Sequence, residues 1–334
     1  MSRNITTSDL ISWLGSESIE FLKNISLSSF SWFKTGGNVS VIIFPINKNQ
    51  LSRCINWIKD AELNFKVIGE TSNLIFLDDI DYSVLISTTK LDSLKYNKDK
   101  SLIIAECGVQ LPLLSRYALS ISATGFEGLE GIPGTIGAAV YMNAGAYGDE
   151  IKDVIESVDV IVPNGGIKTY SLDELKLSHR NSVFRTETNE EVVVSASFRV
   201  DIGDPLKIYN RMSLFHNKRH KYQEFMFPTL GSIYSGSVYR ALAKKDFWYK
   251  IVSSIYYLVF YKLKLFRRES PDNRKWLNDF TVKRFGITFD NQPYSNKDMN
   301  TLINNGHHTD ELQNYLDQLH NLIGDDIVIE NEIV

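Results

Sequence analysis

Two stretches of the sequence offer bare backbone to a ligand. GETSN at 69–73 follows directly on the apolar run FKVIG, and GIPGTIGAAVYMNAGAYG at 131–148 alternates glycine with Ile, Ala, Val and Met. Where no Cβ stands in the way, main-chain N–H groups can approach a pyrophosphate closely. Neither stretch is a P-loop, because no Gly-Lys-Ser/Thr follows. Neither is a dinucleotide fingerprint, because no GxGxxG opens a helix with an acid about twenty residues on. A GxxSN by itself is an ordinary turn. The apolar companions in the second stretch instead imply a backbone pressed against something.

The elements that must position these stretches read as alternating strands and helices. Residues 1–30 read as a short helical lead-in, and KNQLSRCINWIKDAEL (48–63) places Leu51, Ile55 and Ile58 on one helical face. FKVIG (65–69), LIFLDD (74–79), YSVLIS (82–87), LIIAECGV (102–109) and EEVVVSASFRV (190–200) read as strands, with a helix around PLLSRYALSIS. The density of glycine over 125–148 argues against helix or strand interiors there. VIESVDVIVPNGGIKTYSL reads as a hairpin turning at Asn164-Gly165. Composition shifts near Asp201–Pro205, where the main boundary is expected. Beyond it, DELQNYLDQLHNLI sets Leu312, Leu316, Leu319 and Ile323 on one face, and IVIENEIV closes the chain as a strand.

Composition narrows the function. A chain of 334 residues suggests two or three domains, and 43% hydrophobic with 23% charged residues is the balance of a globular protein. A net charge of −4 with no strongly basic half argues against a nucleic-acid binder. Cys54 and Cys107 stand alone in apolar stretches, with no CxxC, and read as buried thiols in a reducing compartment. The first residues lack the long apolar core of a secretory leader, and no run of about 18 apolar residues occurs, so a cytoplasmic protein is expected. His307-His308 reads as a solvated turn, and no histidine or cysteine pattern suggests a metal site.

With WFKTGG (32–37) before them, GETSNLIF (69–76) and GIPGTIGAAVYMNAGAYG resemble the FAD site of the UDP-N-acetylenolpyruvoylglucosamine reductase family. That family has an α+β flavin fold of the p-cresol methylhydroxylase/vanillyl-alcohol oxidase type. The resemblance runs from about residue 28 to 200 and continues in patches to the end. It implies a lead-in at 1–27, FAD-binding subdomains at 28–90 and 91–202, and an α+β substrate domain at 203–334 with an insertion at about 240–275. It also implies that FAD is held by Thr35, Gly36, Gly37, Gly69, Glu70, Thr71, Ser72, Asn73 and Leu74. The second motif would add Gly131, Ile132, Pro133, Gly134, Gly137, Ala138, Asn143, Gly145, Ala146 and Tyr147.

Three further patches carry the family's catalytic pattern across. HRNSVFR (179–185) makes Arg180 the catalytic arginine, LGSIY (230–234) makes Ser232 the catalytic serine, and IENEIV (329–334) makes Glu332 the catalytic glutamate. Lys221 and His179 are the implied substrate contacts. The resemblance implies hydride transfer from NADPH to FAD and on to an enolpyruvyl ether of a nucleotide sugar. Arginine suits the clamping of a carboxylate and of the charge that grows beside it. A serine hydroxyl can give up a proton only with help from its surroundings.

The sequence departs from the family in its substrate half. His179 stands where the family has tyrosine, Ser235-Gly236-Ser237 where it has a basic residue, Asn and Pro, and Val334 where it has arginine. Thr71 replaces a glycine and fits there only with a negative φ. Lys218, Arg219, His220 and Lys221 could return some of the lost charge. Three readings therefore stand: the reductase itself, a related flavoenzyme for another nucleotide sugar in surface-glycan synthesis, and a flavin-binding scaffold without turnover. The protein is expected to be a monomer that binds a nucleotide sugar and no nucleic acid. The aromatic and basic run at 247–268 reads either as a buried core helix or as a weak membrane-surface contact.

Overall fold

The computed structural model describes residues 6–163, 165–188, 190–263 and 274–334, in an α+β arrangement of two compact units. The first unit takes residues up to Ser26, Asn38–Thr71 and Asp81–Arg219. The second takes Leu27–Gly37, Ser72–Ile80 and His220–Val334.

Two sheets build the first unit. Helix α1 (Thr7–Ser16) starts at a capping box between Thr6 and Asp9. Strand β1 (Glu20–Ser26) follows it and pairs antiparallel with β2 (Asn38–Phe44). The expected helical lead-in is thus half strand: Phe21 packs on the core from an edge position that pairing with β2 decides. Helix α2 (Lys48–Asp60) is capped by Asn47, whose Oδ1 accepts from Gln50 N at 2.9 Å, and it buries Leu51, Cys54, Ile55 and Ile58. Strand β3 (Phe65–Ile68) and β4 (Tyr82–Ser87) complete a sheet of order β1-β2-β4-β3, with β4 parallel to both neighbours.

The second sheet is fully antiparallel. It contains β5 (Leu94–Asn97) and β6 (Leu102–Glu106), then α3 (Leu111–Ser120) and the short α4 (Ile136–Tyr141) intervene, and β7 (Ile155–Ile161), β8 (Ile167–Ser171) and β9 (Val192–Arg199) follow. The strand order is β8-β7-β9-β6-β5. The expected hairpin is the β7/β8 pair, in register from Ser157↔Ser171 to Ile161↔Ile167; Asn164 of its turn lies outside the described residues. Helix α4 runs through a stretch whose glycines argued against any helix. Gly137 makes this possible, since a Cβ there would sit only 3.1 Å from the Cβ of Cys107 at the end of β6. Helix α5 (Pro205–Tyr222) starts where the composition shifts. The units instead divide within it, because Ile208, Met212, Phe215 and Arg219 form its buried face.

The second unit has its own core, rich in tyrosine: Tyr234, Tyr239, Tyr249, Tyr294 and Tyr315 are almost fully buried with Leu242, Leu277 and Leu316. Strand β10 (Thr229–Ser232) leads into α6 (Val238–Lys245) and α7 (Phe247–Tyr257). Two helices, α6 and α7, therefore meet just ahead of the aromatic run, which is helical through its described part, α7 continuing as a π-helical turn over Leu258–Lys262. Asp246 ends the first, and its carboxylate caps the second by accepting from Tyr249 N at 2.7 Å. Tyr249 and Tyr256 face the core, while Phe247 and Trp248 are 72% and 66% exposed. The end of the run, 264–268, lies outside the described residues, among which no helix is long and apolar enough to cross a membrane. Helix α8 (Lys275–Phe285) ends at left-handed Gly286. Strands β11 (Tyr294–Ser295) and β12 (Asp298–Ile303) extend β10, with β12 central. Helix α9 (Thr309–Ile323) buries Leu312, Leu316, Leu319 and Ile323, as its periodicity predicts. Last, β13 (Glu332–Ile333) pairs in parallel with Leu74–Ile75, which is all that remains of the strand expected at 74–79.

Candidate active site

The two glycine-rich stretches meet within the first unit. Gly134 N donates to Glu70 Oε2 at 3.0 Å, and Gln110 Nε2 donates to the other oxygen of Glu70. A Cβ on Gly69 would collide with Thr135 Oγ1, and one on Gly145 with the carbonyl oxygen of Asp149. Gly131 and Gly134 hold φ of +73° and +125°. Thr71, Asn143, Tyr147 and Arg180 also hold left-handed backbones, at +59°, +45°, +58° and +53°. The threonine expected to need a negative φ has a positive one, at a cost of about 1–2 kcal/mol that surrounding structure must offset. Thr71 is 95% buried, since only 5% of it is exposed, so its neighbours are placed to hold it there.

Asn143 is the hub of this region. Its side chain is fully buried; Nδ2 donates to Glu150 Oε2 at 3.0 Å and to Ser178 O at 2.9 Å, and Oδ1 accepts from Lys152 N at 3.0 Å. Both amide N–H donors are therefore spent on the protein, which makes Asn143 a fastening between the glycine-rich stretch and the loop that carries Arg180. Ser182 Oγ adds a second fastening by donating to Tyr141 O at 2.5 Å. The Arg180 carbonyl is held by Arg185 Nη1 at 2.7 Å, and exposed His179 lies 3.6 Å from Glu150. Burial raises the Glu150 carboxyl, but bonds from Lys152, Asn143 and His179 outweigh it and hold the group below its ordinary range.

Arg219, read in the sequence only as one cation of a basic run, is instead a buried structural residue. It is 6% exposed, and its Nε and Nη2 donate to the carbonyls of Glu130 and Gly128 at 2.8 and 3.1 Å. Its guanidinium also lies 5.2 Å from the ring centre of Tyr147, which stacks on Phe215 at 4.9 Å. The signal was available: residues 208, 212, 215 and 219 share one helical face. Lys221 falls off that face, exposed, with Nζ 5.1 Å from the ring of Tyr222.

The second unit gathers the other family patches. Gly36 N donates to Asp78 Oδ1 at 2.7 Å, and a Cβ on Gly36 would fall 2.6 Å from that of Phe76. A Cβ on Gly37 would strike the carbonyls of Ile80 and Asp78. Asn73 Nδ2 donates to Glu330 O at 3.0 Å, and Glu332 N donates to Asn73 O at 3.0 Å, so the C-terminal segment is ordered against Ser72, Asn73 and Leu74. Glu330 N donates to Ile233 O at 2.7 Å, which sets the Ser232 and Glu332 segments side by side. Ser232 is exposed, and its hydroxyl has no hydrogen bond among the described residues. His307 is not a solvated turn residue: it is 5% exposed and bonded to Glu311 at 2.8 Å and Gln292 O at 3.2 Å. Asp79, His308 and Asp310 lie within reach of one another but are all exposed.

These cradles fit a flavin dinucleotide. Thr135 Oγ1 in the first unit and Thr35 Oγ1 in the second are buried with no hydrogen-bond partner among the described residues, polar atoms left over for a ligand. Residues 39–171 match the FAD binding domain family, so the chain is an FAD-binding protein. Over 221 residues it is 37% identical to UDP-N-acetylenolpyruvoylglucosamine reductase of Lactobacillus johnsonii, covering 66% of this chain and 73% of that one. Over 227 residues it is 37% identical to the reductase of Caldicellulosiruptor bescii, covering 66% and 70%. The chain belongs to the UDP-N-acetylenolpyruvoylglucosamine reductase family. The fold agrees: the crystal structure of that reductase from Thermus caldophilus aligns over 94% of this chain and 98% of its own, with a TM-score of 0.66 at 19% identity.

Proposed function

We propose that this chain reduces the enolpyruvyl ether of UDP-N-acetylglucosamine to the lactyl ether, with NADPH as the source of hydride. FAD, held by the glycines of both stretches, would supply the hydride relay between NADPH and the terminal vinyl carbon. Everything else falls to side chains of this chain. Arg180 binds the carboxylate of the enolpyruvyl group and stabilises the charge that builds up on the adjacent carbon. Ser232 gives that carbon a proton, so hydride and proton together saturate the double bond. Glu332, as an acid or through a polarised water, helps the same withdrawal of electrons toward the carboxylate. Thr35, Thr135 and the glycines of both stretches seat the cofactor, and His179 and Lys221 contact the sugar nucleotide.

One observation carries this reading. The buried amide of Asn143 fastens the Ser178–Arg180 loop to the glycine-rich stretch with bonds of 2.9–3.0 Å. A scaffold that only held flavin would have no use for fixing an arginine loop to that stretch. The test is product mass. Incubation with NADPH and UDP-N-acetylglucosamine enolpyruvate should yield a compound heavier by the added hydrogens, and Arg180→Ala should lower kcat by about 10²–10³, as loss of an electrostatic stabiliser does. Unchanged turnover in Arg180→Ala would remove that residue from the chemistry.

A further inference from the structure

Part of the 240–275 region, read from the sequence as an insertion, walls a cavity of about 1100 Å³ within the second unit. Ser232 lines the same cavity. The charge around it is lopsided: among the described residues that line it, Arg240, Lys244, Lys250, Lys262 and Arg274 face a single acid, Asp298. Arg274 pairs with Asp298, and Lys244 lies 3.4 Å from Asp326. Arg240, Lys250 and Lys262 have no acidic partner among the described residues. Like charges sharing one concavity focus a positive potential into it and favour an anion there.

The other walls suit the same occupant. The Arg274 guanidinium lies 5.6 and 5.8 Å from the ring centres of Tyr239 and Tyr261, and its Nε donates to Tyr261 Oη at 3.2 Å, which fixes that side of the cavity. Tyr257 also lines it. Burial pushes the Tyr257 phenol up to about 12, so it keeps its proton at neutral pH and can donate a hydrogen bond. Lysines serve as point charges for phosphate, and an arginine can grip two oxygens at once.

We propose that this cavity seats the diphosphate of the nucleotide-sugar substrate, gripped by Arg240, Lys250 and Lys262 with Tyr257 as an added donor. This rests on the nucleotide-sugar reading and deepens it. The family pattern loses a basic-Asn-Pro segment and a C-terminal arginine here, and the three cations that line this cavity replace that charge. Ser232 at the cavity wall then faces the far end of the same substrate.

The experiment is calorimetric titration of UDP, with uridine as the probe lacking phosphate, into the full-length flavin-loaded protein. UDP should bind at least tenfold more tightly than uridine, and its affinity should fall as salt rises. Arg240→Glu and Lys250→Glu should each weaken UDP binding by about tenfold or more, the worth of a charge-assisted bond, and leave uridine alone. Lys262→Gln, which removes charge without reversing it, should act in the same direction and serves if a reversal fails to fold. UDP affinity within about twofold of wild type in all three variants, or UDP no tighter than uridine, overturns the proposal. Phosphate-dependent binding without reduction of the enolpyruvyl ether would keep the cavity and remove the reductase reading. Reduction with unaffected UDP binding in the variants would do the reverse.

Discussion

Replacing Asn143 tests whether one buried amide fastens the arginine loop to the flavin stretch. Its side chain makes three hydrogen bonds, at 3.0, 2.9 and 3.0 Å, and one of them goes to the Glu150 carboxylate. Two ordinary bonds at about 1 kcal/mol each and one to a charged group at about 1.5 kcal/mol or more sum to about 3–4 kcal/mol. Asn143→Gly removes all three while keeping a backbone free to hold φ of +45°. Asn143→Ala loses the same bonds and adds left-handed strain, so it should fall below the glycine variant by about 0.5–1 kcal/mol. At about 2–4 °C per kcal/mol, Tm should drop by roughly 6–16 °C. The assay is thermal and urea unfolding followed by circular dichroism, paired with kcat for the reductase reaction. The reasoning fails if both variants stay within about 1 kcal/mol of wild type, or if alanine proves no worse than glycine.

Other outcomes follow from the same geometry. Glu150 is held below its ordinary value of 4.5, so its contribution to stability is present above that value and lost as pH falls through the lower folded one. Glu150→Gln should therefore flatten the acid limb of a stability-versus-pH curve, and an unchanged limb would contradict this. Gly36→Ala places a Cβ 2.6 Å from that of Phe76 at φ of +116° and should cost about 2 kcal/mol or more, read as a lower urea midpoint. Arg219→Ala orphans the carbonyls of Glu130 and Gly128, so flavin should dissociate more readily in equilibrium dialysis. Arg219→Lys should restore only part of that retention, and equal retention in all three proteins would refute a positioning role.

Much of this was legible from local pattern. The helical faces around Leu51, Ile55 and Ile58 and around Leu312, Leu316 and Leu319 follow from spacing, because each helix buries one stripe. The glycine motifs were equally plain, since only close backbone packing explains glycines among buried apolar residues. What stayed hidden depends on distant partners. Strand β1 exists because β2 offers it an edge, and nothing local in EFLKNIS forces that choice. Residues 27–37 and 72–80 belong with the C-terminal unit, which no composition shift announces. Arg219 and Lys221 look alike in a basic run, and only the buried face of α5 separates them. The left-handed Thr71 breaks the local rule outright, as strained residues at functional sites do.

The central claim is that this family member moves hydride through its flavin to an enolpyruvyl ether. Anaerobic stopped-flow absorbance of the flavin tests it most directly: NADPH reduces the bound cofactor, and UDP-N-acetylglucosamine enolpyruvate is then added. The account predicts rapid reoxidation in the wild type and its loss in Ser232→Ala, with reduction by NADPH intact in both. Reduced flavin that stays reduced in the wild-type protein after substrate is added would contradict it.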